Sequence, residues 1–216
     1  TSAPILSVGI SNPANVTLNA PIIASRYNLF GGTFINSNQL TVGNGAGTGV
    51  VQRGGGTATA GSFDVAPNFN LLNNQLILLY TASTGLITTG FEIPASRIAT
   101  GVTINNTAGV TLAGGNLDTA ALSLTLGNIN TSASNLLSLS GTTAASLTGG
   151  GTTSYVNGPF ARSFASGNAN TNFVLFPVGK TDYSPISLAP STSSVAVFKA
   201  EAFTSNAGTT DATITS

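Results

Sequence analysis

The chain has 216 residues, enough for one or two domains with a sizeable core. Only 6% are charged and the net charge is zero, whereas an ordinary globular chain carries about 25% charged residues. Six Lys and Arg supply neither a basic face for nucleic acid nor a polybasic patch for anionic lipid, and the absence of Cys and His excludes disulfides and thiolate or imidazole metal sites.

Hydrophobic residues make up 41% of the chain and the mean hydropathy is +0.31. A core can therefore be built, and disorder is not expected. No apolar run approaches the roughly 18 residues that a membrane helix needs, so no membrane insertion is expected. A surface this poor in charge gives little repulsion between copies and favours self-association. The absence of oxidisable Cys, Met and Trp fits an extracellular life. The sequence starts at Thr1, and a signal peptide is expected to have been removed.

Residues 1–30 hold Ile5 to Val8, Val16 to Leu18, Pro21 to Ile23 and Tyr27 to Phe30. Pro4, Pro13 and Pro21 stand at or before the starts of such pieces, where a missing N–H harms a ladder least. An ordinary first strand is the expectation. A terminal arm over residues 1–12, donated to a neighbour, is the alternative. Residues 31–74 are rich in glycine, with Phe34-Ile35 and Leu40 to Val42 as strands. Gly43 to Gly49 lacks the Gly-Lys-Ser/Thr ending of a phosphate-binding loop, so it reads as a turn, as does Gly54 to Gly56. Leu76 to Tyr80 is fully apolar and must be buried or paired. Glu92 and Arg97, five positions apart, are a candidate ion pair worth about 0–1 kcal/mol if exposed.

From Arg97 to Gly151 short alternating pieces recur: Val102 to Ile104, Val110 to Leu112, Leu122 to Leu126, Leu137 to Leu139 and Ser146 to Thr148. Each sets aliphatic side chains on one side and Ser or Thr on the other, the period-two pattern of a half-buried strand. Gly, Asn, Asp and Ser between them turn the chain. Beyond residue 151, Asn157-Gly-Pro159 marks a turn, Phe173 to Val178 a buried strand and Gly179 to Asp182 another turn. Val195 to Phe198 and Glu201 to Phe203 repeat the strand pattern before a polar end, Thr204 to Ser216.

Three blocks carry a resemblance: LLYTASTGLITTGFEIPAS (78–96), GVTINNTAGVTL (101–112), and SYVNGPFARSF with FPVGKTDYSPISL (154–188). Together they resemble the repeat-rich surface and secreted proteins of Bacteroidetes-type bacteria. The resemblance covers residues 78–190 and includes no catalytic motif. It implies secretion and display at the cell surface. Members of that group are typically long multi-repeat adhesins with a C-terminal sorting domain. None is recognisable here, so a single assembling subunit is expected.

Catalytic constellations are not found. Without His there is no triad, and neither Lys180 nor Lys199 stands in a Ser-x-x-Lys frame. The six acids, Asp64, Glu92, Asp118, Asp182, Glu201 and Asp211, follow no spacing rule. Asn116 with Asp118, and Thr181 with Asp182, are the only hints of a calcium site, and turn-forming roles explain them better. No catalytic, cofactor-binding or metal residue is therefore expected.

The sequence predicts an all-β chain: a β-solenoid-like stack of short strands over residues 1–150 and a C-terminal antiparallel sandwich-like part over 151–216. A single antiparallel β-sandwich is the alternative. It also predicts a homopolymer of copies of itself, forming an extracellular filament, tube or surface layer. The second reading is a cell-surface adhesin recognising glycan, ice or another solid surface, with Tyr27, Tyr80, Tyr155 and Tyr183 as candidate contact residues.

Overall fold

The computed structural model describes residues 6–56, 59–169 and 171–205. Residues 1–5 of the proposed arm and 206–216 of the polar end lie outside the described residues. The chain winds into a β-solenoid of about seven turns and ends in antiparallel strands. Its longest sheet stacks Val8–Ser11, Arg26–Gly31, Gly49–Arg53, Leu76–Tyr80, Ile98–Asn105 and Leu117–Leu126 in parallel. Parallel pairing throughout the coil sets aside the single antiparallel sandwich.

Leu117–Leu126 has two partners along its length. Its first half pairs with Leu137–Leu139 and its second half with Leu147–Gly149. The intervening chain makes a short 3-10 turn at Ala144–Ser146. Other faces of the coil carry smaller parallel sheets. Val16–Thr17, Thr33–Ile35 and Ser62–Phe63 form one, and Ile22–Ala24, Leu40–Val42 and Asn68–Phe69 another. Ile87–Thr88, Val110–Thr111, Ile129–Asn130, Val156–Asn157 and Val178–Gly179 form a third, so parallel pairing runs on past residue 150. Among the strands of the described residues, antiparallel pairing joins Val174–Phe176 to Ile186–Leu188 and Phe160–Phe164 to Ala196–Ala200, beside isolated antiparallel bridges at turns such as Ser132 with Asn135.

The alternating pattern explains the core. Tyr27, Val51, Leu78, Val102 and Leu122 stand one above another in successive rungs and are all buried. Ile87, Val110, Ile129, Val156 and Val178 form a second buried column. Burying each aliphatic side chain stabilises the coil by roughly 1.5–3 kcal/mol. Thr88, Thr111, Asn130 and Asn157 occupy the alternate, outward row. Asn157 Nδ2 donates to Asn130 Oδ1 at 2.9 Å, and Asn130 Nδ2 donates to Thr111 Oγ1 at 3.3 Å.

Corners need special residues. Buried Asn106 donates from Nδ2 to the carbonyls of Gly85 and Gly109 and accepts from the Ser83 amide, tying the corner at 83–85 to its own at 106–109. Gly127 sits beside it at φ 77°, where a Cβ would stand 1.7 Å from the Asn106 carbonyl oxygen. Asp64 clamps another corner, accepting from the amides of Asn36 and Ser37 and from the Ser37 hydroxyl. Partial desolvation pushes its pKa up. The Ser37 hydroxyl and the Ser37, Asn36 and Val65 amides outweigh that and bring it from 3.8 down to about 2.

Leu78→Ala is expected to lower unfolding stability in urea by about 2–5 kcal/mol, and Gly127→Ala by more than about 1 kcal/mol. Wild-type stability in either case would refute the packing described. Because the Asp64 pKa is depressed in the fold, its contribution is present above about pH 4 and is lost as pH falls through about 2. Asp64→Asn is expected to flatten the acid limb of the pH–stability curve over that range. An unchanged limb would count against the clamp.

Candidate functional site

The smaller sheets do not run the length of the coil. Two stop at Ser62–Phe63 and Asn68–Phe69, and the third begins at Ile87–Thr88. The segment 89–97, Thr-Gly-Phe-Glu-Ile-Pro-Ala-Ser-Arg, fills the seam between them. This seam holds the one ion pair found among the described residues, a perturbed tyrosine and an apolar hollow.

Arg53 ends its strand on an inward position, between Leu29 and Tyr80 in the adjacent rungs. Its Nη1 lies 3.2 Å from Glu92 Oε1, with side-chain exposures of 9% and 1%. Arg53 also donates from Nε to the Gly61 carbonyl at 2.8 Å and from Nη1 to the Thr88 carbonyl at 2.6 Å. Tyr80 donates its hydroxyl to Glu92 Oε1 at 3.1 Å, and the Gly90 amide reaches both carboxylate oxygens at 3.0 Å. Removal from water, reinforced by the Glu92 charge, pushes the Tyr80 hydroxyl well above its ordinary pKa of 10.0. Glu92 is thus fully engaged and closed to solvent. It rivets segment 89–97 onto the coil.

The expected Glu92–Arg97 pair is therefore corrected: Glu92 pairs with Arg53. Arg97, at φ 54°, donates Nε to the Asn116 carbonyl at 2.9 Å and Nη2 to the carbonyls of Ala113 and Gly115 at 2.9 and 2.6 Å. Desolvation lowers its pKa despite favourable contributions from Tyr80 and Glu92. Beside it lies a hollow of about 350 Å³, lined mainly by Ala66, Phe91, Ile93, Pro94, Ala95 and Arg97.

Three of the four tyrosines offered as surface contacts are buried. Tyr27 donates to the carbonyls of Ile22 and Thr41, and burial raises its pKa to about 12. Tyr80 belongs to the seam. Tyr155 donates to the carbonyls of Lys180 and Thr181, fixing that turn, and its ring lies 6.1 Å from that of half-buried Tyr183. A flat aromatic face built from these four does not exist. Of the residues named as calcium hints, Asn116 Oδ1 accepts from the Leu136 amide of the next rung, Asp118 Oδ1 is buried without a hydrogen-bond partner, and the Asp182 carbonyl accepts from the Lys180 amide within its turn.

A second guanidinium is buried outright. Arg162, 1% exposed, donates to the carbonyls of Leu175 and Thr143 and leaves Nε without a hydrogen-bond partner. Burial lowers its pKa to about 10. Reasoning from sequence gave neither Arg53 nor Arg162 a role, although period-two alternation from Val51 points Arg53 inward.

No family model, curated protein or solved structure matches the chain.

Glu92→Gln leaves Arg53 buried without a counter-charge and is expected to cost about 3–5 kcal/mol in denaturant unfolding. Arg53→Met combined with Glu92→Gln is expected to lose clearly less than the two single losses added together. Additive losses would refute the coupling.

Proposed function

We propose that this chain is a secreted structural subunit that assembles with copies of itself into an extracellular filament, tube or surface layer. The observation that carries the reading is a series of exposed apolar residues in the last part of a chain with almost no charge. Phe173, Ile186, Val195, Val197 and Phe203 are all exposed within residues 173–203, Phe173 by 69% and Val197 by 65%. Isolated exposed apolar residues are ordinary, and it is their recurrence within one stretch of an almost uncharged chain that favours a contact surface. Leu6 and Ile23 are exposed on the first turn.

Strand edges support the same reading. Val8–Ser11 and Ala196–Ala200 are the two outer strands of one ten-stranded sheet. Among the described residues neither has a strand partner on its outer side, and Lys199 is the only charged residue in either strand. Strand addition from the first turn of one copy to the last strand of the next would continue the sheet. Such head-to-tail contacts grow into filaments when they do not close into rings. The resemblance of residues 78–190 to secreted surface proteins supports export.

A second reading, an adhesin for glycan, ice or another solid surface, is favoured by the outward row Thr88, Thr111, Asn130 and Asn157, which repeats polar groups at strand spacing. Glycan-array and ice-recrystallisation assays without signal would remove it.

Negative-stain electron microscopy and sedimentation of the purified chain are expected to show filaments or sheets that grow with concentration. Val197→Lys is expected to shift the population to monomers while leaving the circular dichroism of the fold intact. Monodisperse wild-type monomers at high concentration would defeat the assembly reading.

A further inference from the structure

The apolar hollow at the seam has a charged rim that no carboxylate among the described residues reaches at ion-pair distance. Phe91, 47% exposed, Ile93, Pro94 and Ala95 supply apolar surface, and Ala66 and Ala113 add small side chains that leave room. The volume, about 350 Å³, falls within the range that takes a small organic ligand. Arg97 stands at its edge. Backbone carbonyls take its Nε and Nη2, and Nη1 makes no hydrogen bond to a described residue. Gly114 lies beside Nη1, at a distance where an added Cβ would make van der Waals contact with it.

Charge decides the sign of the ligand. The seam holds two guanidiniums, Arg53 and Arg97, and one carboxylate, Glu92, which is committed to Arg53, Tyr80 and the Gly90 amide. Asp118 is paired across the ladder with Ile98, next to Arg97, yet among the described residues only Arg53 and Glu92 reach ion-pair distance. Arg97 thus presents a fixed guanidinium, held in place by three carbonyls, beside apolar surface and an aromatic ring. A guanidinium with a free N–H recognises a carboxylate through a charge-assisted hydrogen bond, and the surface beside it selects an apolar body.

We propose that this hollow is a binding site for a small carboxylate carried on an aromatic or aliphatic body, with Arg97 holding the carboxylate and Phe91, Ile93 and Pro94 packing against the body. The site does not depend on assembly, and either idea can fail without the other.

The test titrates the whole chain with 3-phenylpropanoate and, separately, with 3-phenylpropan-1-ol, followed by amide chemical shifts. The carboxylate is expected to saturate, with shifts concentrated at residues 89–97 and at Ala113 and Gly114. The alcohol is expected to bind about tenfold more weakly or less, because it lacks the charge that Arg97 meets. Arg97→Gln is expected to bring the carboxylate down to the alcohol's affinity. Equal binding of the two compounds by the wild-type chain, no saturable shift at millimolar carboxylate, or full carboxylate affinity in folded Arg97→Gln would each overturn the proposal. The wild-type comparison of acid and alcohol decides the matter even if Arg97→Gln fails to fold.

Discussion

Hydrogen bonding between one parallel rung and the next is the constraint from which the other features follow. A parallel strand cannot return through a tight hairpin, so each rung must travel round the coil before it pairs with its predecessor. That journey forces corners, and corners require residues that bend sharply or satisfy stranded backbone groups. Asn106, Gly127 and the Asp64 clamp serve that need in three different ways. Once the rungs are in register, like stacks on like. Aliphatic columns fill the interior, and polar rows face outward, linked in places by side-chain hydrogen bonds such as that from Asn157 to Asn130.

Breaks in this regularity carry the chain's unusual electrostatics. Where two of the smaller sheets stop and a third starts, an inward-facing Arg53 meets Glu92 from segment 89–97, and Tyr80 completes the cluster. Isolated buried charge is costly, and a buried pair holds only when its remaining hydrogen-bonding capacity is met by neighbours. The Gly61 and Thr88 carbonyls and the Gly90 amide provide this. Arg162 has no such carboxylate and leans on two carbonyls, with Nε left unpaired. The coil therefore concentrates a large share of its few charges in places where they shape backbone, not where they meet solvent.

Much of the coil was legible in the alternation of aliphatic residues with Ser and Thr. Val102, Ile104, Val110, Leu112, Leu122, Leu124, Leu137 and Leu139 all face inward as that pattern requires. The fully apolar Leu76–Tyr80 strand is paired on both sides, as its composition demanded. The same alternation places Arg53 inside, against the usual exposure of a guanidinium. Its partner lies 39 positions away, beyond any local pattern. Proximity in sequence likewise made Glu92 and Arg97 look like partners, while the turn at Pro94 to Arg97 sends their side chains to different neighbours. The tyrosines misled for the opposite reason. An aromatic ring with a hydroxyl suits a binding face, yet here each buried hydroxyl finds an acceptor within the fold.

Successive rungs differ in length. Tyr27, Val51, Leu78, Val102, Leu122 and Leu147 face one another across the long sheet although 24, 27, 24, 20 and 25 residues separate them in turn. The excess is taken up outside the ladders, as in the excursion through Ala144–Ser146. A scaffold with such uneven spacing can take extra residues outside the ladders, provided that the Thr143 carbonyl that holds Arg162 is kept in place. In an array of many copies, such an insertion would recur at a fixed pitch.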